Sequence, residues 1–359
     1  MHIAAAMSGG VDSTTAAALL LRQGHRVTGM TMRLWDGIGP SPPRRCCSRE
    51  DIEAAARMAK LLGIPHQVVD FQEPFLEKVV RRFCDEYLEG LTPNPCVVCN
   101  EIIKAGLLLE HARSIGAEAV ATGHYARIEK GPEGARLLKG ADPAKDQSYF
   151  LHRIGPESLR RVVFPLGELR KEHVRAVARE LGLAVASKAE SQEVCFVPAE
   201  GYTGTVERFG SRRPVRGVVV YRGKVLFEHE GIHRFTVGQR CGSGRGPGRR
   251  IFVRSIDPST GRIEAADRED LFFSSMTVRD VVWHVPPPRR PLDAQVKIRY
   301  RSAAASAAVE ALDDGRASVR FAEPHPAVAP GQAAVFYIGD AVAGGGWIEK
   351  GVNHADQAS

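Results

Sequence analysis

The chain reads as an α/β protein, a doubly wound parallel sheet followed by two small β-rich domains. Three observations predict this. As far as Phe196, short apolar strands alternate with amphipathic helices, which argues for a parallel sheet with helices on both faces. From about Gly204 the helical period fades, and short β-branched runs stand between Gly and Pro turns. The third is a glycine-rich junction, Ser8-Gly9-Gly10-Val11-Asp12-Ser13, between the first strand and the first helix.

Ile3–Met7 is apolar and strand-like, and Thr14–Leu21 is a helix that Gly24 ends. Val27–Met32 follows as a strand. Ser48, with Asp51 three residues on, opens a helix that stops at Gly63 before Pro65. Val68–Phe71 and Ala119–Thr122 are further strands, with helices expected over Phe75–Glu89 and Asn100–Ile115. Ligands of such sheets bind at the carboxyl ends of the strands. Beyond Gly204, strands are expected at Gly217–Tyr221, Lys224–Glu228, Ile251–Ile256 and Gly261–Ala265. After Pro286-Pro287-Pro288 come Gln295–Tyr300, Ala307–Leu312, Ala317–Phe321 and Ala333–Ile338, evenly spaced as in small barrels. The expected domains are 1–203, 204–268 and 269–355.

The 359 residues suit two or three domains, and 43% hydrophobic with 25% charged residues is ordinary for a soluble globular protein. No apolar run is long enough to cross a bilayer, and no signal-peptide pattern precedes the first strand. A cytoplasmic protein with no membrane partner is therefore expected. Seven cysteines in a reducing compartment point to reactive thiols or metal ligands rather than a disulfide framework. Between Val206 and Ile256, twelve Lys/Arg stand against Glu207, Glu228 and Glu230, a local +9 in a chain whose total is +7. So concentrated a basic block suits a polyanion such as RNA.

Glycines between a strand and a helix let backbone amides approach an anion, and the helix N-terminus adds partial positive charge. Lacking a closing Lys-Ser/Thr, the run is not a Walker A loop. It resembles the pyrophosphate loop of ATP pyrophosphatases, which adenylate a substrate and release pyrophosphate. The second motif is Leu91-Thr92-Pro93-Asn94-Pro95-Cys96-Val97-Val98-Cys99-Asn100. Its prolines suggest extended backbone up to a helix start near Asn100, which would place Cys99 where the helix dipole lowers a thiol pKa. A distant third cysteine lies in Ser191-Gln192-Glu193-Val194-Cys195-Phe196.

Together with Ala121–Arg127, Lys145–Leu151, Thr236–Arg240, Arg299–Arg301 and Pro330–Tyr337, these runs resemble, in order and from Ile3 to about Glu349, the tRNA-specific 2-thiouridylase family. The resemblance implies an adenine nucleotide alpha hydrolase-like sheet and a monomeric sulfurtransferase. Its reaction would adenylate the C2 oxygen of the wobble uridine, then replace it with sulfur to give 2-thiouridine, AMP and pyrophosphate. By the resemblance, Ala6, Met7, Ser8, Gly9, Gly10, Val11, Asp12, Ser13, Met32 and Gly123 bind ATP, with Asp12 near Mg2+. Cys99 is the nucleophile and Cys195 the persulfide carrier, charged by an upstream sulfur relay; their reaction leaves a disulfide to be reduced. Asn94, Pro95, Cys96, His124, Lys145, Asp146, Gln147, Arg299, Tyr300 and Gln332 contact the tRNA, at the target uridine or the anticodon stem-loop.

Three positions depart from the family pattern. Cys96 stands where an aspartate is common, Cys46-Cys47 adds a thiol pair, and Cys241 replaces a usual basic residue. Some related tRNA-thiolating enzymes of the pyrophosphate-loop class hold an iron–sulfur cluster on three cysteines. The resemblance thus also makes Cys96, Cys99 and Cys195 candidate ligands of a [4Fe-4S] cluster, as an alternative to the persulfide route; thiolates at this spacing suit zinc as well. Cys84 reads as a core residue. Two other functions compete. Another pyrophosphate-loop enzyme, an amidating synthetase or the lysidine-forming tRNA ligase, would share the loop without needing both cysteines. A non-catalytic RNA-binding or metal-storing protein would form no ATP-dependent product.

Overall fold

Alternate residues of the first strand face opposite sides, and in this chain both sides are apolar. That is the signature of a strand covered twice. The computed structural model describes residues 1–35, 49–132, 134–183, 194–241 and 250–352, which form two compact units. Cys46, Cys47, Ser48 and Ser191–Glu193 lie outside the described residues. Among the described residues no helix is long and apolar enough to cross a membrane.

The first unit holds 1–79, 96–199 and 340–342. Its all-parallel sheet contains β1 (His2–Ala6), β2 (Arg26–Arg33), β3 (His66–Asp70), β4 (Ala119–Ala121) and a short fifth strand (Val162–Val163), in the order β3-β2-β1-β4 and then the fifth. β1 pairs with β2 from His2↔Arg26 to Ala6↔Met30, and with β4 from Ile3↔Ala119 to Ala5↔Ala121. On one face Ile3, Ala5 and Met7 pack with helices α1 (Val11–Arg22) and α2 (Arg49–Leu61) and with Val174 and Ala178 of a later helix, Lys171–Glu180. On the other face Ala4, Met30 and Val120 meet Leu108, Leu109 and Ala112. The strand order reverses between β1 and β4, so the ligand crevice of such a sheet opens at their carboxyl ends.

Two differences from the sequence expectation stand out in the first unit. The helix expected from Asn100 starts at Pro95: Pro95–Val98 is α-helical, Cys99–Leu107 is π-wound and Leu108–Ser114 is α-helical again. Proline disfavours helix for the residue before it but is well suited to the first helical position itself. Cys99 therefore stands one turn inside the helix, while Cys96 occupies the first turn. A hairpin, Ala126–Gly131 with Gly134–Lys139, also follows β4 where no strand was expected.

The second unit holds 80–95, 200–339 and 343–359. A five-stranded sheet contains Gly217–Tyr221, Lys224–His229, Ile251–Ile256 and Ile263–Ala266, close to the expected strands, and Arg240–Cys241, which was not expected. Its core includes Val219, Val253, Ile263 and the buried Cys241. A six-stranded antiparallel barrel follows. Three of its strands, Ala305–Ala311, Ala317–Pro326 and Ala333–Ile338, fall at the expected places. The strand expected over Gln295–Tyr300 lies three residues earlier, Leu292–Lys297, leaving Arg299 and Tyr300 in the turn after it. Phe272–Trp283 and Ala341–Val352 were not foreseen, and their mutual pairing closes the barrel around Val296, Val309, Val319, Phe336 and Ile348.

Candidate active site

The phosphate loop leaves β1 at Ala6 and enters α1 at Val11. Gly9 takes φ +70°, and a Cβ there would lie 2.7 Å from the Asp51 carbonyl oxygen and 2.9 Å from Ala54 Cβ. Only glycine fits both the backbone conformation and that gap. The loop is tied internally: the Ser8 amide donates to Ser13 Oγ at 3.1 Å, and the Thr14 hydroxyl donates to the Gly10 carbonyl at 2.9 Å. Gly10 is the N-cap of α1, and no side chain caps that end. A Cβ on Gly10 would meet only Ser8 Oγ, at 3.5 Å, so one side of the loop is open. Amides, an uncapped twelve-residue helix and open space make an anion cradle.

Gly123, just past β4, belongs to the same place. A Cβ there would stand 2.8 Å from the Asp12 carbonyl carbon and the Ser13 nitrogen, so the backbones of the β4 loop and of α1 nearly touch. Met32 is half-buried near the end of β2 and packs on the sheet's second core. Asp12 does not stand alone. Lys171 Nζ lies 2.8 Å from each of its carboxylate oxygens, and the Tyr125 hydroxyl donates to Oδ1 at 2.8 Å. Neither Lys171 nor Tyr125 was a candidate from sequence. Tyr125 stands inside the Ala121–Arg127 motif, a signal that could have found it, whereas Lys171, 159 residues from Asp12, carries no local mark.

His124 is half-buried, with Nδ1 2.7 Å from Thr122 Oγ1 and Nε2 3.3 Å from Lys104 Nζ. Burial, then the Lys104 charge, hold its pKa well below the ordinary histidine value. Asp146 is buried, and its carboxylate accepts from the Gly140 amide and from the amide and hydroxyl of Ser148, each at 3.0 Å. Gln147 Oε1 accepts the Tyr125 amide at 3.0 Å. Two of the three residues expected at the anticodon stem-loop thus direct their side chains into the protein, while Lys145 is half-buried.

Cys96 is exposed, and Cys99 and Cys195 are half-buried. Next to Cys195, Phe196 is buried and packs on Phe75, ring centroids 5.8 Å apart, so the aromatic neighbour and not the cysteine fills the core. Cys84 is fully buried, and its pKa is pushed up to about 12 by desolvation and by Asp85. Among the described residues no three His, Cys, Asp or Glu side chains form a metal-holding group. Cys96, Cys99 and Cys195 are all described, so the expected cluster ligand set is not assembled.

Within the second unit, Asn94 and Pro95 are buried. Asn94 Nδ2 donates to Gln332 Oε1 at 3.4 Å, and Gln332 Nε2 donates to the Pro93 carbonyl at 3.4 Å. The Thr92 amide donates to the Pro330 carbonyl at 2.7 Å, so the two motifs that resemblance linked are held side by side. Arg299 is exposed, but its guanidinium donates to the Ala327 carbonyl at 2.9 Å. Tyr300 lies with its ring centroid 5.5 Å from Lys297 Nζ.

A parallel sheet that delivers a glycine loop to an uncapped helix start defines a phosphate-binding α/β protein. Three family models match, described as tRNA methyl transferase HUP domain over 1–199, tRNA methyl transferase PRC-barrel domain over 206–267 and Aminomethyltransferase beta-barrel domain over 273–348. A curated tRNA-specific 2-thiouridylase MnmA of Syntrophotalea carbinolica is 48% identical over 97% of this chain and 98% of its own length. The protein of the same name from Geobacter metallireducens is 47% identical over 97% and 96%. Among solved structures, a 4-thiouridine synthetase–RNA complex with bound ATP shows a partial likeness, at TM-score 0.37 and 18% identity, over 58% of this chain and 50% of that one. The chain belongs to the tRNA-specific 2-thiouridylase family.

Proposed function

We propose that this protein is a tRNA 2-thiouridylase that uses ATP. The carrying observation is that one compact unit bears both the phosphate loop and the cysteines Cys99 and Cys195, in a chain alike end to end to proteins of that name. The C2 oxygen of uridine belongs to a urea-like group and leaves poorly. Transfer of AMP from ATP to that oxygen, with release of pyrophosphate, converts it into a good leaving group. The terminal sulfur of a persulfide on Cys195 then attacks C2, and AMP departs. The Cys99 thiolate attacks the Cys195 sulfur, which leaves the transferred sulfur on the base and forms a Cys99–Cys195 disulfide. A thiol reductant restores both thiols, and a persulfide donor recharges Cys195.

The residues suit these parts. The loop amides and the α1 terminus match polyphosphate, and pyrophosphate departs against them. Magnesium is held mainly by substrate phosphates. Asp12, the carboxylate of this loop, already has both oxygens on Lys171 and one on Tyr125, so the metal would be carried by the phosphates with Asp12 beside them rather than as its ligand. When bound, the metal neutralises charge on the phosphates. His124, just past β4, meets Lys104 of the Cys99–Leu107 segment where the target base would enter, and the base must leave its stack to reach them. The basic Val206–Ile256 segment and the barrel suit the tRNA backbone, in three domains over 1–203, 204–268 and 269–355. The methyl-transfer wording of the family descriptions fits less well, because moving a methyl group requires neither an ATP phosphate loop nor two reactive thiols.

The test is nucleoside mass spectrometry of tRNA incubated with protein, MgATP and a persulfide donor. 2-Thiouridine with wild type, and none with Cys99→Ser or Cys195→Ser, supports the proposal. ATP cleavage to AMP and pyrophosphate without any thiolated nucleoside would favour another adenylating ligase.

A further inference from the structure

Asp12 sits in the first turn of α1, directly after the glycine pair, and two buried side chains end on it. Lys171 grips both oxygens through its ammonium, and Tyr125 reaches Oδ1 through its hydroxyl. The same two residues are held from behind by a single loop. The Lys171 amide donates to Asp142 Oδ2 at 3.0 Å. The Tyr125 amide donates to Gln147 Oε1 at 3.0 Å, and its carbonyl accepts the Gln147 amide at 2.8 Å. The Lys171 ammonium lies 5.6 Å from the centroid of the Tyr125 ring, so the two arms also touch each other.

The loop from Asp142 to Gln147 is built as one piece. Asp142 Oδ1 takes the Ala144 amide at 3.0 Å, and the buried Asp146 carboxylate ties Gly140 to Ser148. A displacement at this loop therefore reaches both arms. Both arms are shielded: Tyr125 is 3% exposed and Lys171 9%. A shielded ion pair with additional hydrogen bonds has few intermediate arrangements, because a half-made contact leaves a charge uncompensated.

We propose that Lys171 and Tyr125 are positioning residues that tie the Lys145–Gln147 loop to the phosphate loop through Asp12, so that RNA bound at one and ATP bound at the other raise each other's affinity. The inference rests on the function proposed above and on the resemblance, which assigns Lys145, Asp146 and Gln147 to RNA. RNA that fixes the loop fixes Asp12, and with it the first turn of α1 that faces the phosphates. By linkage, ATP must favour RNA binding by the same factor. The device binds ATP most tightly when the substrate that receives the AMP is in place.

The experiment measures the Kd of a non-hydrolysable ATP analogue with magnesium, alone and with saturating anticodon stem-loop RNA, and then the converse. An affinity gain of about tenfold in both directions is expected for wild type. Tyr125→Phe keeps the ring and the Lys171–Asp12 pair and removes only the hydroxyl. In that variant the gain falls by at least half, whatever the change in either binary affinity. Lys171→Met abolishes the gain, and Lys171→Arg restores part of it. A wild-type gain of one, with both ligands bound, overturns the coupling alone. So does a gain unchanged in both Tyr125→Phe and Lys171→Met. A folded protein that binds neither ligand removes the proposed function and the coupling with it.

Discussion

Lys104 donates to the Nε2 of His124 across 3.3 Å, so the ring must accept there and carry its proton on Nδ1, 2.7 Å from the Thr122 hydroxyl. An ammonium has no lone pair, and this contact therefore selects one neutral tautomer. With the pKa of His124 held well below 6.5, first by burial and then by Lys104, the folded protein leaves unbound a proton that the unfolded chain binds. This contribution to stability is fully present above pH 6.5 and is lost progressively as pH falls below it. Lys104→Met is expected to move the His124 titration upward in an imidazole NMR series and to soften the acid-side loss of stability. An unchanged titration would remove Lys104 as a cause.

The contact at Gly123 is steric, and it is testable by one methyl group. Gly123→Ala pushes a Cβ into the Asp12 and Ser13 backbone, 2.8 Å away. Denaturant unfolding is expected to show a loss of about 1–3 kcal/mol, together with weaker binding of an ATP analogue. Gly131→Ala, where a Cβ meets nothing within 4 Å, serves as the control and should stay within about 0.5 kcal/mol of wild type.

Asn94 and Gln332 share one side-chain contact. Alanine at either position is expected to weaken binding of anticodon stem-loop RNA several-fold. The double variant should lose less than the product of the two, with a coupling of about 0.5–1 kcal/mol. Strict additivity would mean that the two act independently on the RNA.

Thiol chemistry should follow exposure. In iodoacetamide labelling at pH 8 with peptide mass mapping, Cys96 is expected to modify first among the described thiols, with Cys99 and Cys195 next. Cys84, with its thiol pushed up to about 12, and the buried Cys241 should stay unmodified until the protein unfolds. Rapid labelling of Cys84 would contradict the packing around Thr205, whose carbonyl its thiol meets at 3.5 Å.

Much of the site was legible in the sequence because it is local. The glycine pair, the strand before it and the helix after it lie within about twenty residues, and a phosphate cradle needs little else. The alternation of strand and helix likewise announced the parallel sheet, since each element carries its own period. Pro95 was misleading for an equally local reason. Proline reads as extended when followed from its N-terminal side and as a helix start when followed from its C-terminal side. Asp146 and Gln147 had motif signatures that marked them as important, but a motif cannot say which way a side chain points.

Sequence alone determined the chain's class of fold and where the glycine loop falls between strand and helix, because these depend on residue type and short spacing. Tertiary structure alone decided which groups stand on Asp12, how Lys104 sets the tautomer of His124, and how Phe272–Trp283 and Ala341–Val352 close the barrel. Those contacts join residues up to 159 apart in the site, and pairing registers between distant strands in the barrel. A lone lysine, tyrosine or edge strand carries no local mark of its partner. Burial and the satisfaction of buried charge, which choose among them, exist only once the chain is folded.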